Sequence, residues 1–295
     1  MTVIFDSLFL MLAYPLLAIG ISLASFSRTR LFSFIPCGVL LAGSYLAGFL
    51  ALLPLLGLVV FMVLAFLYVD ERCFDWLGQV RHRRWLLYGG IVPLALLIGF
   101  RVFPGVANPL LYGDVQLSSV ARPFSIYLSL DKGVLALLLW MVASSRLWPG
   151  KMSPVSALWL LPLMLGIILS VGVMLGYVAP DLKWPGLPLF ASWALANLLV
   201  TCVLEEAFFR GIVQRGLMTR WQQYRYGPVA ALVVASLLFG IAHAGGDWMF
   251  VLLATLAGLF YGAGYWLTGR LWFAVLLHFS VNLVTFIGFS YPALL

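Results

Sequence analysis

Apolar runs long enough to cross a bilayer recur along the whole chain, separated by short stretches that contain polar residues, Pro or Gly. They predict an all-α fold, a polytopic integral membrane helix bundle of about ten transmembrane helices, with eight to ten compatible with the pattern. The second and third helices come from one apolar run, 31–69, which we divide at Pro54. The predicted spans lie near residues 3–26, 33–50, 53–69, 86–103, 132–148, 155–177, 188–214, 228–246, 248–267 and 272–291.

The composition agrees with a membrane protein. Hydrophobic residues make up 64% and charged residues 9% of the 295 positions, whereas about a quarter of the residues of a soluble domain are charged. The three cysteines, Cys37, Cys73 and Cys202, contain no CxxC pair, so neither a disulfide framework nor a zinc knuckle is predicted. The first apolar stretch lacks a preceding basic segment and a cleavage site, which predicts a retained helix.

The net charge of +7 indicates the placement of loops rather than nucleic-acid binding. If the N-terminus lies outside, the inner loops hold twelve of the 17 Lys and Arg residues, the outer loops hold four, and Arg210 lies within a span. This asymmetry predicts that both termini lie outside. Segment 70–85 is then a cytoplasmic connector, 104–131 is the longest outer loop, and 215–227 is an interfacial segment.

Ionisable side chains are concentrated in the predicted spans of the last third of the chain. A charge at the centre of a membrane helix costs roughly 2.5–3.5 kcal/mol by insertion assays, so such residues indicate a functional site. Counting about 1.5 Å per residue from the inner loops places them near mid-membrane, where three helices can bring them together. The polar residues concerned are Glu205, Glu206, Arg210, His243, His278 and Asn282.

Helical spacing separates the two glutamates. Glu206 and Arg210 are four residues apart with the acid first, the favoured orientation for an ion pair on one face. Glu205 is rotated by about 100° from Glu206 and by roughly 140° from Arg210, so it lacks a cationic partner. One carboxylate is therefore held ionised, and the other, Glu205, is the candidate general base. His278 and Asn282 share a helical face, as do Phe239 and His243.

The strings "EEAFFR", "FGIAH" and "HFSVN" match EExxxR, FxxxH and HxxxN in this order. In this respect residues 187–290 resemble the CAAX prenyl protease and bacteriocin-processing family of glutamic-type intramembrane endopeptidases. The resemblance implies that Glu205 and His243 activate a water, that His278 and Asn282 form the oxyanion hole, and that Glu206 and Arg210 support the site. It also implies a membrane-associated protein or peptide substrate and a location in a bacterial cell membrane. Phe239 is expected to fix His243 by packing.

The resemblance divides the chain into an N-terminal part, 1–180, of unassigned role, and a protease core, 187–290. The four catalytic candidates provide a base and oxyanion donors without a metal or other cofactor. Zinc is the rival interpretation, with Glu205, His243 and His278 as ligands, although HExxH is absent. The alternative function is a non-proteolytic membrane protein of the same fold, either a bacteriocin self-immunity factor or a partner-binding scaffold.

Two other features of the spans predict packing rather than chemistry. Gly258 and Gly262 form a GxxxG pattern, which is typical of closely packed membrane helices. The chain is also rich in aromatic residues, with 22 Phe, 12 Tyr and 11 Trp. We predict that these rings face lipid and form the interfacial belts.

Overall fold

A computed structural model describes residues 2–70, 83–146 and 148–290, with side chains for 9–70, 88–146 and 148–290. Most of the predicted connector 70–85, including Cys73 and His82, lies outside the described residues. In the described parts, helices dominate. They are α1 (Thr2–Ser25), α2 (Phe34–Leu46), α3 (Leu52–Val69), α4 (Arg83–Gly99), α5 (Leu130–Ser144), α6 (Leu160–Met174), α7 (Leu187–Trp221), α8 (Gly227–Ala242), α9 (Trp248–Thr268) and α10 (Leu271–Gly288). Two short 3₁₀ helices precede α2 and α6, at Arg30–Ser33 and Val155–Ala157.

The helices support an all-α membrane protein but not ten full crossings. Each predicted span coincides with a helix. Among the residues whose side chains are described, which for α1 means only Phe9–Ser25, five helical segments are long and apolar enough to cross a membrane: Leu52–Val69, Val155–Met174, Leu187–Trp221, Trp248–Thr268 and Leu271–Gly288. Others are apolar but shorter, such as the 13-residue α2 and the 16-residue α8. At about 1.5 Å per residue these helices do not reach across a hydrocarbon core of about 30 Å. The prediction overestimated the length of α2 because the turn at Gly48 (φ +75°) lies within the same apolar run, whereas it underestimated α7, which continues to Trp221.

The predicted outer loop 104–131 is not wholly irregular. It contains two strands, β1 (Leu110–Val115) and β2 (Phe124–Tyr127), which form a two-stranded sheet. The hydrophobic pattern did not indicate these strands because the segment carries Pro, Gly and Asn at short intervals.

The chain folds into two compact units. The first comprises 1–111, 127–146 and the short stretch 199–204. Its central helix is α5, whose residues from Gly133 to Ser144 are all buried, as expected for a helix that is apolar on every side. The buried Asp131 of this helix is paired with Arg101 (Nε to Oδ2, 2.9 Å) and accepts a hydrogen bond from Asn108.

The second unit comprises 112–126, 147–198 and 205–295, and it contains every candidate site residue. Its helices begin and end at recognisable signals. Pro188 and Pro228 lie in the first turns of α7 and α8, where no backbone N–H is needed. The Asp247 side chain caps α9 by accepting a hydrogen bond from the N–H of Phe250, and α9 ends at Gly269 in the left-handed conformation.

A polar cluster joins the segment after α6 to the end of α10. Strands β3 (Ala179–Pro180) and β4 (Phe289–Ser290) pair antiparallel. The Asp181 carboxylate accepts hydrogen bonds from Ser118 Oγ at 2.6 Å, from Ser290 Oγ, and from Lys183 Nζ at 3.2 Å. The two serine hydroxyls, more than the lysine, hold the pKa of the Asp181 carboxyl below its usual value.

The predicted division into an N-terminal part, 1–180, and a protease core, 187–290, is a division by function and differs in kind from the two compact units. It stays a prediction. The same is true of the positions of the two termini relative to the membrane.

Candidate active site

The helix that carries both glutamates, α7, is not a regular α-helix. It is π-helical over Ala196–Cys202 and again over Ala207–Gln214. The short α-helical stretch between them, Val203–Glu206, contains the two carboxylates. π-Helical turns are rare and often occur at functional sites, since each one changes the direction in which the following side chains point. The glutamates are therefore presented by an unusual part of the helix.

Glu206 forms the ion pair that its spacing from Arg210 predicts. Arg210 Nε donates to Glu206 Oε2 at 2.9 Å, and neither side chain has any exposed area. The other two guanidinium nitrogens of Arg210 are buried and form no hydrogen bond with a described group; the guanidinium lies over the rings of Phe239 and Tyr261. The second oxygen of the Glu206 carboxylate, by contrast, does have a partner.

Glu206 Oε1 lies 2.9 Å from His278 Nδ1, a contact that the motif spacing did not predict. An ionised carboxylate only accepts hydrogen bonds, so Nδ1 of His278 carries a proton and donates it. One carboxylate thus connects a cation on its own helix with an imidazole on α10. The contact also fixes which nitrogen of His278, namely Nε2, points away from Glu206.

His243 is held in a similar way by a backbone carbonyl. The residue directly follows α8, and its Nδ1 lies 2.8 Å from the carbonyl oxygen of Phe239. The last carbonyls of a helix lack partners within the helix, so one is free to accept this bond. Because a carbonyl only accepts, Nδ1 of His243 carries a proton, and in the neutral ring Nε2 then presents a lone pair. The Phe239 ring also packs on the imidazole, with centroids 4.7 Å apart.

Glu205 faces both imidazoles. Its Oε2 lies 3.8 Å from His243 Nε2 and 3.9 Å from His278 Nε2. Both distances are longer than a hydrogen bond, and a polar contact of this length is often bridged by a water. Among the described residues, no group forms a hydrogen bond with this buried oxygen. Glu205 therefore differs from Glu206, whose two oxygens are both bound by protein groups.

Asn282 lies one helical turn beyond His278 on α10. Its Nδ2 donates to Asn197 Oδ1 of α7 at 3.1 Å. His243, His278 and Asn282 all line a cavity of about 110 Å³. The rest of the wall is mostly apolar, and it is formed by Ile168, Leu169, Tyr177, Val178, Phe239, Phe250, Leu253, Ala254, Ala257, Tyr261, Val281 and Thr285. The structure thus brings all seven predicted site residues into one neighbourhood.

Comparison with known proteins finds one similarity, and it falls in the part of the chain that carries the site residues. The family model of Rce1-like proteins, described as type II CAAX prenyl endopeptidase Rce1-like, matches residues 187–284. These residues form an Rce1-like region. The resemblance that the three motifs predict is therefore confirmed. The match covers 98 of the 295 residues, about a third of the chain. No curated protein and no solved structure matches the chain.

The Rce1-like region also contains two residues near the site that the motifs did not indicate. Tyr261 of α9 stacks on His278, with ring centroids 4.7 Å apart and planes 13° from parallel. Asn197 binds Asn282, as described above. The prediction that aromatic rings face lipid did not identify Tyr261. The nearby glycines, Gly258 and Gly262, are a sequence signal that could have identified it, because they mark a place where α9 packs closely against other helices.

A metal was the rival interpretation of Glu205, His243 and His278. In the part of the chain that the structure describes, no group of three or more His, Cys, Asp or Glu is arranged to hold a metal ion. Each histidine does, however, donate its Nδ1 proton to an oxygen acceptor, which is also how metal-binding histidines are commonly held. Metal independence therefore stays a prediction, to be tested by chelation.

Proposed function

We propose that this chain is an intramembrane endopeptidase, which hydrolyses a peptide bond in a protein tail or peptide that it meets at the membrane. The observation that carries the proposal is the arrangement around Glu205. A buried carboxylate oxygen faces the Nε2 atoms of two histidines at 3.8 and 3.9 Å, inside a region similar to a family of endopeptidases.

The first step is the activation of a water by Glu205 and His243. A water between them can donate one hydrogen to Glu205 Oε2 and the other to the lone pair of His243 Nε2. Both hydrogens are then directed into the protein, and an oxygen lone pair is directed at the substrate carbonyl. Glu205 takes one proton as the water oxygen bonds to the carbonyl carbon, so the carboxylate acts as a general base.

The carbonyl oxygen becomes negatively charged as the new bond forms, and His278 and Asn282 stabilise this charge. Asn282 donates through its side-chain amide. His278 donates through Nε2 in the imidazolium form, since Nδ1 already donates to Glu206. Donors fixed in a water-excluded site stabilise such an oxyanion more than solvent does. The carbon–nitrogen bond then breaks, and protonated Glu205 returns its proton to the leaving amine.

The charges of the site balance in this state. Glu205 and Glu206 carry two negative charges, and Arg210 and the His278 imidazolium carry two positive charges. A neutral set of charges avoids the cost of an uncompensated charge in a membrane protein interior. This balance explains why a second glutamate and an arginine accompany the general base.

The test uses purified protein in lipid nanodiscs with two probes, a farnesylated CAAX peptide and the same peptide without the lipid. Glu205→Gln retains the size of the side chain but removes the basic carboxylate, so cleavage should fall to background. Glu71→Gln is the matched control, because Glu71 is the one glutamate of the chain that lies outside the motifs. Turnover close to that of the wild type in Glu205→Gln would contradict the proposal.

The alternative, a scaffold without proteolytic activity, explains less of the site. A scaffold needs polar side chains that bond to each other across helices, as Glu206 of α7 and His278 of α10 do. It does not need a buried carboxylate oxygen without a hydrogen bond from any described group, which is the state of Glu205 Oε2. If the wild type cut neither probe and Glu205→Ala increased its stability, the scaffold would be the better explanation.

The membrane topology belongs to the same proposal. The five long apolar helices support an integral membrane protein, and we place it in a bacterial cell membrane with both termini outside. Labelling of cysteines introduced near each terminus by a membrane-impermeant maleimide, in intact cells and in inverted vesicles, tests this orientation.

A further inference from the structure

Helix α9 carries none of the three motifs, yet it contributes a side chain that contacts three of the motif residues. Tyr261 is almost fully buried, with 2% of its surface exposed. Its ring lies parallel to the His278 imidazole, and the Arg210 guanidinium carbon lies 5.9 Å from its centroid. Phe239 meets the same ring edge to face at 5.9 Å.

Two glycines allow this close approach. A Cβ atom at Gly262 would lie 2.7 Å from Gln214 Oε1 of α7, and one at Gly258 would lie 3.3 Å from the Phe239 ring and Ser236 of α8. Gln214 Nε2 also donates to the carbonyl oxygen of Gly262 at 2.9 Å, directly beside Tyr261. The backbone of α9 is thus packed against α7 and α8 at the position of the tyrosine.

The orientation of His278 needs two constraints. The hydrogen bond from Nδ1 to Glu206 fixes one point of the ring but allows the ring to turn about that bond. A flat ring stacked on the imidazole face removes this rotation, because turning would break the parallel contact. Together the two contacts determine where Nε2 points.

We infer that Tyr261 is a positioning residue, which fixes the plane of the His278 imidazole and through it the direction of Nε2. The inference rests on the proposed function as far as turnover is concerned. The geometric part, a tyrosine ring stacked on this histidine, can be measured without any substrate. The stacking needs the flat ring and not the phenol hydroxyl, so phenylalanine should replace tyrosine.

The experiment combines NMR of protein labelled with ¹³C,¹⁵N-histidine and kinetics with the farnesylated CAAX peptide. The chain has only 3 histidines, so the resonances of His278 can be assigned by substitution. In the wild type, the His278 ring protons should be displaced upfield by the stacked ring, compared with free histidine. Tyr261→Phe should retain this displacement and the turnover, whereas Tyr261→Leu should lose both. We expect kcat to fall by about ten- to a hundredfold, with KM nearly unchanged, because a small misplacement of a catalytic group costs this much.

The matched control is Tyr265→Leu. Tyr265 is equally buried on the same helix, at 1% exposure, but lies about 6 Å further along its axis. This variant should lose stability as Tyr261→Leu does, without moving the His278 resonances.

Each result has a clear meaning. Wild-type His278 protons without an upfield displacement would overturn the inference even if no variant folded. It would also be overturned if Tyr261→Leu lost the displacement but retained kcat, or if Tyr261→Phe lost kcat as severely as Tyr261→Leu. If the stacking is observed but the wild type cuts no peptide, the proposed function fails and the stacking stands.

Discussion

Removal of the Arg210 guanidinium should destabilise the fold far more than removal of an exposed arginine from the same helix. Arg210 and Glu206 are fully buried and joined at 2.9 Å. Arg210→Met breaks the buried pair and leaves the Glu206 carboxylate without the cation of its own helix, which costs about 3–5 kcal/mol in the free energy of unfolding. The guanidinium also lies over the rings of Phe239 and Tyr261, at 5.1 and 5.9 Å from their centroids, and these contacts are lost too.

The assay is equilibrium unfolding in mixed micelles titrated with SDS, followed by the fluorescence of the 11 tryptophans. Arg220→Met is the control, since Arg220 is exposed near the end of α7. Its effect should stay within about 0.5 kcal/mol, as is usual for surface positions. The double variant Glu206→Gln with Arg210→Met removes both charges and should recover most of the lost stability, because replacing a whole buried pair is often neutral.

An Arg210→Met variant as stable as the wild type would refute this expectation. If that variant were stable and also inactive, the pair would take part in the reaction instead of holding α7. A double variant less stable than the single one would show that Glu206 contributes through another contact, such as that with His278.

The remaining predictions concern the oxyanion hole, the metal and the cluster around Asp181. Asn282→Ala should reduce turnover by a factor of about 10²–10³. Asn197→Ala alone should also reduce turnover, but adding it to Asn282→Ala should cause no further loss in a double-mutant cycle. Additive losses would contradict a shared role of the two residues. Activity should survive prolonged dialysis against EDTA, with far less than one zinc per chain by elemental analysis, whereas loss on chelation and recovery with zinc would make both histidines ligands. The lowered pKa of Asp181 means that its contribution to stability is present above the pKa of the unfolded chain, about 3.9, and is lost as the pH falls through the lower pKa of the folded state. The melting temperature should therefore fall more steeply between pH 7 and 3 for the wild type than for Asp181→Asn. Identical pH profiles of the two proteins would contradict this expectation.

The sequence was informative wherever a residue type was unusual for its surroundings. Glu206 and Arg210 could be paired from their spacing because a charge in an apolar span needs a partner, and residues four apart lie on the same face of a helix. The same reasoning left Glu205 without a cation, and the structure places it opposite two imidazoles. These inferences depended on local geometry within one helix or on the order of short motifs.

Contacts between helices could not be obtained in this way. The bond from His278 to Glu206 joins residues 72 positions apart, and nothing in either motif specifies it. Tyr261 was treated as one of many aromatic residues that face lipid, because composition does not distinguish a buried ring from an exposed one. The length of α2 was overestimated for a related reason, since an apolar turn and an apolar helix have the same hydropathy.

The different bonding of the two glutamates decides which inactive variant can capture a substrate. Every hydrogen bond of Glu206 holds another side chain, so a substitution there would disturb the cavity to which the peptide must bind. The Oε2 atom of Glu205 binds no described side chain, so Glu205→Gln should preserve the shape of the binding site while stopping the reaction. Glu205→Gln is therefore the variant to use as bait: the natural peptide should stay bound to it uncut and could be isolated with it from cell membranes and sequenced.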